Sequence, residues 1–394
     1  MKAGWELKPV AAFANTSAGG TPRKSNRAFY EGGDIPWLLS GEVANANIIE
    51  AANYITEEGL KGSSAKLFPP NSVLVAMYGA TAGESGILRI EAATNQAVCA
   101  ILPSEKYLPE YLYYFLLHAK PSLVAQAVGN AQPNISQTKI KALEVPLGPL
   151  EEQKRIVAVL DAAFEGLARA RAHAETNLQN ARELFASALQ AAFQDESNSW
   201  NDALLCDLGE VITGSTPKTS DKENLGNYIP FVKPGDFLPD GSLVYDNQGL
   251  SEQGAAVSRV LPAGSTLMVC IGATIGKAGY SERAVATNQQ INAVVPKSGI
   301  SGEYLYYQML TPEFQANVML RAGQATLPII NKGKWSKLKV RMPSDLSKQS
   351  EIVCKLSEVR AKVDFASAHY QAQISDLDDL RQSLLQKAFA GELT

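Results

Sequence analysis

The chain carries one pattern twice, about 195 residues apart, and each copy runs into a long segment with coiled-coil spacing. The first copy has Gly20-Thr21-Pro22, Ile35-Pro36-Trp37, Gly79-Ala80-Thr81-Ala82-Gly83, Thr94-Asn95-Gln96, Tyr111-Leu112-Tyr113-Tyr114, Gln153 and Ile156-Val157. The second answers in the same order with Ser215-Thr216-Pro217, Ile229-Pro230-Phe231, Gly272-Ala273-Thr274-Ile275-Gly276, Thr287-Asn288-Gln289, Tyr304-Leu305-Tyr306-Tyr307, Gln349 and Ile352-Val353. The offset between partners drifts only from 193 to 196. Solenoid repeats span roughly 20 to 50 residues and cannot bury their faces alone. A period this long describes two domains, each large enough for its own core.

The spacing predicts an α+β chain of four segments. Residues 1–149 and 195–343 read as mixed domains, with short β-branched runs such as Ser72-Val73-Leu74-Val75-Ala76-Met77 broken by Gly, Pro and Asn, and a tyrosine-rich helix near Tyr107 to His118. Residues 150–194 and 344–394 read as single helices. The first follows Pro149 and repeats apolar residues in steps of four and three from Leu160 through Phe164, Leu167, Ala174, Leu178, Ala181, Phe185 and Ala188 to Ala192, with Arg171 the one intruder. The second keeps that rhythm from Ile352 through Leu356, Val359, Val363, Ala366, Tyr370, Leu377 and Leu380 to Leu384, with Gln373 polar, and stops at Gly391. Helices of this length, about 65 Å at 1.5 Å per residue, are unstable with an apolar stripe in water. Pairing them antiparallel about a pseudo-twofold axis buries both stripes.

Cys99, Cys206, Cys270 and Cys354 form no CxxC pair and have no histidine at ligand spacing, so they read as buried, inert thiols. No stretch of eighteen apolar residues occurs. With no secretory pattern near Met1, the expectation is a soluble cytoplasmic protein that makes no membrane contact.

Catalytic motifs fail on inspection. Gly272 to Lys277 lacks the four-residue gap and the Ser or Thr of a phosphate loop, and Glu84 stands where the second copy has Lys277. Phe68-Pro69-Pro70-Asn71 reverses the order of the Asn-Pro-Pro-aromatic element of amino-methyltransferases, and its counterpart Leu261-Pro262-Ala263-Gly264 lacks both groups. Both read as turns. His118, His173 and His369 are the only histidines, and no catalytic set recurs in both copies. The residues point to a binder with no catalytic, cofactor or metal site of its own.

A net charge of −4 argues against coating nucleic acid by bulk electrostatics. Local charge is different. Arg321, Lys332, Lys334, Lys337, Lys339 and Arg341 face one acid, Glu313, between residues 311 and 341. The loop after Thr21-Pro22 carries Arg23, Lys24 and Arg27, and its counterpart carries Lys218 and Lys222. Such loops can neutralise phosphates and pair with base edges, and charge alone does not separate that role from a solvated loop.

The ordered landmarks, the Glu152-Gln153-Lys154-Arg155-Ile156-Val157 helix opening and the closing Leu384-Leu385-Gln386-Lys387-Ala388-Phe389-Ala390-Gly391-Glu392-Leu393 resemble the specificity subunit of a type I restriction-modification system over essentially the whole chain. One departure is Ser350-Glu351 in place of Lys154-Arg155. The resemblance implies two target recognition domains, each reading one half of a gapped site in double-stranded DNA, spaced by the helical pair. It implies a non-catalytic chain that recruits two methyltransferase subunits, which use S-adenosylmethionine to methylate adenine N6. The resemblance leaves restriction subunits that use ATP as an optional further partner. Two alternatives are left open: a structural scaffold whose helical rod joins other proteins, and a diverged enzyme with an unfamiliar site, against which the lack of paired catalytic residues argues.

Residues identical in both copies cannot distinguish two half-sites. Thr21, Thr216, Asn95, Asn288, Gln96 and Gln289 are therefore candidates for framework or phosphate contacts. Base reading is expected where the copies differ: Arg23, Lys24, Arg27, Gln132, Asn134 and Lys139 in the first domain, and Lys218, Lys222, Arg321, Gln324, Lys332 and Lys334 in the second.

Overall fold

A computed structural model describes residues 4–126, 134–194, 199–218, 220–238, 241–323, 327–345 and 347–393. Each half holds the same sheets in the same strand order. In the first, an antiparallel sheet runs Thr16–Ala18, Val98–Ile101, Val73–Ala76, Ser85–Ile87. A second sheet runs Tyr54–Ile55, Ile35–Leu38, Ala92–Thr94, Leu67–Phe68, with its middle pair parallel. The other half repeats this with Gly209–Thr213, Ile291–Pro296, Ser265–Val269, Ala278–Ser281 and with Gly249–Leu250, Leu225–Val232, Val285–Thr287, Val260–Leu261. A two-stranded ribbon, Glu6–Pro9 with Glu144–Leu147 or Trp200–Leu204 with Lys339–Pro343, joins the start and end of each domain.

The continuous apolar run at 73–76 is explained by burial on both faces. Val73 and Val75 enter the core built on Tyr111 and Phe115, while Leu74 and Ala76 enter a second core with Leu38 and Phe68. Met268 and Cys270 divide from Leu267 and Val269 in the same way. Side chains alternate across a strand, so one apolar run serves two layers.

The long helices span Leu150–Gln194 and Ser347–Ala390, and Gly391 ends the second with φ 81°. The chain forms two compact units, residues 1–173 with 373–394 and residues 174–372. Each unit thus contains one sheet domain, part of the helix that follows it, and part of the other long helix. In the first unit Arg381 lies over the Phe164 ring at 5.0 Å and Arg171 pairs with Asp378 at 2.5 Å, so the helices run antiparallel. In the second unit Arg360 lies over Phe185 at 4.6 Å. The repeat partner of Phe164 is Arg360 and that of Phe185 is Arg381, so the two stacks are one contact with its roles exchanged.

The expected seam needs one correction. In the second helix Gln373 is exposed and Ile374 is 7% exposed, while Leu380 is 48% exposed. The inward stripe steps by one residue at this point, which puts Arg381 rather than Leu380 against the facing helix. The stack on Phe164 keeps the guanidinium solvated on one side while its stem covers the ring.

Repeated tyrosine and glutamine landmarks close each domain on its helix. Gln153 is fully buried; its Oε1 accepts from Leu108 N (2.9 Å), and its Nε2 donates to Gly148 O (2.9 Å) and Lys106 O (3.2 Å). Gln349 repeats this with Ser301 N (3.0 Å) and Gly299 O (3.1 Å). Tyr111 donates to Pro146 O, and Tyr304 to Arg341 O. A buried amide satisfied on both ends fixes the angle at which the helix leaves its domain.

The cysteine expectation holds for two of four. Cys99 and Cys270 are buried, and burial pushes both thiols up to about 12. Cys206 and Cys354 are exposed, because the first sits on a short surface helix and the second on the outer face of a long one.

His118 stacks on Phe389 at 5.6 Å, and its Nδ1 is buried without a hydrogen-bond partner. Burial lowers its pKa, so the unfolded chain takes up the proton first. The resulting stabilisation is complete above the ordinary histidine value and is lost as pH falls below it. Urea unfolding at pH 5.5 and 8 should show lower stability of the first unit at pH 5.5, and His118→Phe should flatten that difference. An unchanged difference in the variant would assign the pH dependence elsewhere.

Candidate nucleic-acid interface

In each domain the repeated motifs converge on one loop cluster. Gly20 N donates to Thr94 O (2.9 Å) and Ser215 N to Thr287 O (2.8 Å), which lays the Thr-Pro loop along the Thr-Asn-Gln turn. The preceding glycines make this approach possible: a Cβ on Gly19 would lie 2.2 Å from Thr94 O, and one on Gly214 would lie 2.2 Å from Asn288 O. Thr21 Oγ1 then donates to Gln96 Oε1, and Thr216 Oγ1 donates to Gln289 Oε1 at 2.5 Å. Asn95 Oδ1 accepts from Ala97 N and Asn288 Oδ1 from Gln290 N, both at 3.1 Å, giving the turn the same internal brace in each copy.

The cationic loops also superimpose in their bonding. Asn26 N donates to Arg23 O and its side chain caps the turn Arg27–Phe29; Asp221 N donates to Lys218 O and its side chain caps Lys222–Asn224. Arg23 and Lys218 therefore occupy one position of one loop, and Arg27 and Lys222 another. All four are exposed, as is Lys24. Arg27 is 86% exposed, with Glu31 at 3.8 Å, a distance at which solvent screening leaves its charge available.

The Gly-Ala-Thr segment adds the next wall. It turns between Val73–Ala76 and Ser85–Ile87, or between Ser265–Val269 and Ala278–Ser281, with Gly79, Gly83, Gly272 and Gly276 all at positive φ. Those four conformations account for the repeated glycines without a phosphate. Met77 N donates to Ala97 O and Cys270 N to Gln290 O, both at 2.7 Å, tying this turn to the Thr-Asn-Gln turn. On its other side Tyr78 bridges to Asn134, and Ile271 bridges to Ile329. The Pro-Pro element is likewise a turn: Asn71 has φ 68° where the second copy has Gly264 at φ 86°.

Asn134, Lys332 and Lys334 are exposed beside these turns. Lys139 donates to Gln126 O, which ties the helix Gln137–Ala142 to the end of Pro109–Ala125. Arg321 donates to Lys334 O (3.2 Å) and Lys337 O (3.1 Å), and Lys334 Nζ returns to Arg321 O (3.2 Å). Gln132 and Gln324 lie outside the described residues. Sequence reasoning missed Tyr78, Ile271, Leu327 and Ile329. The first two directly precede the repeated glycines and differ between copies, so the rule that differences carry recognition should have selected them.

Two similar domains, each offering one loop cluster and each closed by the helical pair, define a two-module recognition protein. The chain belongs to the family of the type I restriction modification DNA specificity domain, which it matches over residues 2–173 and 198–375. Among curated relatives it is 29% identical over 161 residues to the EcoR124I/EcoR124II specificity subunit of Escherichia coli, covering 40% of each chain. It is 26% identical over 250 residues to the MjaIX specificity subunit of Methanocaldococcus jannaschii, covering 62% of this chain and 55% of that one. The matches thus span about half the length of these relatives or less. A chain from a solved type I restriction-modification system, studied for complex assembly and conformational transition, superimposes with TM-score 0.82 at 20% identity, covering 100% of this chain and 99% of that one. The crystal structure of the HsdS subunit from Thermoanaerobacter tengcongensis gives TM-score 0.59 at 19% identity, covering 100% and 98%. Among the described residues no helix is long and apolar enough to cross a membrane, and no group of side chains is arranged to hold a metal ion.

Proposed function

We propose that this chain is the non-catalytic DNA-reading subunit of a type I restriction-modification complex. Each domain reads one half of a two-part site in double-stranded DNA, and the paired helices set the gap. Adenine-N6 methylation with S-adenosylmethionine, and ATP-dependent restriction where that subunit exists, belong to partner chains. The observation that carries this reading is the doubled loop cluster, in which the same Thr–Gln hydrogen bond and the same two cation positions recur in both domains.

That equivalence refines the residue roles. Arg23, Lys218, Arg27 and Lys222 stand at matched positions with matched charge, which suits phosphate contacts that orient each domain. Thr21, Gln96, Thr216, Gln289, Asn95 and Asn288 hold the loops, and Lys139, Arg321 and Lys334 brace neighbouring elements. Base reading is left to Lys24, Asn134 and Lys332 and to the side chains flanking the Gly-Ala-Thr turns.

The test is the adenine methylome of the source strain with and without this gene. Loss of a single two-part motif is expected, and it would reveal both half-sites. An unchanged methylome in a strain that expresses the complex would reject the assignment.

A further inference from the structure

We propose that Leu327 and Ile329 form an apolar contact for the 5-methyl group of a thymine in the half-site read by the second domain. The proposal rests on the DNA-reading assignment above. Ile329 bridges to Ile271, and Gly272 N donates to Pro328 O at 3.0 Å, so Leu327-Pro328-Ile329 runs along the Gly-Ala-Thr turn. A Cβ on Gly272 would lie 3.9 Å from both Leu327 Cδ1 and Gln290 Nε2. Leu327 is thereby placed beside the turn whose Gln289 binds Thr216. Leu327 is 54% exposed and Ile329 44%, with Lys332 and Lys334 exposed just beyond them.

The same place in the first domain has different chemistry. Tyr78, 40% exposed, and Asn134, also exposed, form the bridging pair there, offering a phenol and an amide where the second domain offers two isoleucines. Equivalent positions on the two domains thus present hydrogen-bonding groups in one and only hydrocarbon in the other. In the major groove the thymine methyl is the apolar feature that distinguishes one base edge from the rest, and aliphatic side chains recognise it by contact. The flanking lysines favour an anionic partner and would be poorly placed against an apolar protein surface.

The intact complex is assayed on duplexes carrying the mapped site, with thymines of one half-site replaced by deoxyuridine one at a time. The second half-site is the one that changes when residues 199–343 are exchanged for those of a relative. One replacement there should weaken binding by roughly 3- to 10-fold, the worth of one buried methyl. In Leu327→Ser/Ile329→Ser the same replacement should have no effect, while the first half-site remains selected. A complex that prefers its site over a scrambled duplex, yet ignores every such replacement or has no thymine in that half-site, overturns the contact. A complex with no preference over the scrambled duplex overturns the DNA-reading assignment and the contact with it.

Discussion

Phe389→Ala is expected to lower the stability of the first unit by about 3 to 5 kcal/mol, the range for removing a buried aromatic side chain. Phe389 is 7% exposed near the end of the second long helix. Its ring meets Tyr111 at 5.3 Å and Phe115 at 5.2 Å, both edge-on, and stacks with His118 at 5.6 Å. Edge-to-face pairs add about 0.5 to 1.5 kcal/mol each beyond burial. Leu385 and Ala388 are buried in the same core, so truncation should open a cavity among these rings and loosen the last turns while the helix end stays docked. Hydrogen exchange during mild urea treatment locates the effect: amides of Pro109–Ala125 should lose protection while those of Gly302–Leu310 keep it. Equal loss in both helices, or a change below about 1 kcal/mol, would show that this ring does not anchor the helix. The mirror residue is Phe193, which packs on Tyr304 at 5.5 Å in the second unit; Phe193→Ala should reverse the pattern.

Removing the four matched loop cations is expected to have the largest effect on DNA binding. Each phosphate contact contributes about 0.9 to the slope of log affinity against log salt. The combined variant Arg23→Ala/Arg27→Ala/Lys218→Ala/Lys222→Ala should therefore flatten that slope by about 3.6, with affinity falling most at low salt. The ranking of DNA sequences should be preserved, because phosphate contacts carry no sequence information directly. Titration of the complex on its own site and on single-base variants at three salt concentrations separates the possibilities. An unchanged slope would remove these loops from the interface. A flattened slope with altered base preference would return them to the reading role that the sequence comparison first suggested.

Much of the architecture was legible because duplication doubles the information in a single chain. The Gly-Ala-Thr and Thr-Asn-Gln motifs marked equivalent turns, and proline, glycine and apolar spacing marked a long helix after each domain. Individual seam positions were less legible. A strict three-four rhythm selects Gln373 and Leu380, whereas packing selects Ile374 and Arg381, since an arginine stem over an aromatic ring covers apolar surface as a leucine does. Exposure of Cys206 and Cys354 was illegible for a related reason: a helix of given composition turns only one face inward, and the facing partner decides which.

The candidate site divides along the same line. Charge and repetition nominated the cationic loops, but not that Arg23 with Lys218 and Arg27 with Lys222 hold matched places in identically braced turns. They also did not reveal that the Arg321 guanidinium binds two backbone carbonyls. Hydrogen bonds between residues about 75 apart, such as Thr21 with Gln96, leave no local trace in composition.

The sequence alone determined that there are two similar domains and that each is followed by a long amphipathic helix, because repetition and periodicity are properties of order along the chain; the family was legible only through the resemblance of its ordered motifs. Only the tertiary structure decided that Phe389 closes the first domain and Phe193 the second, and which loops share a face. Those outcomes depend on which buried surfaces fit one another after the chain has returned on itself, and no local spacing encodes that fit.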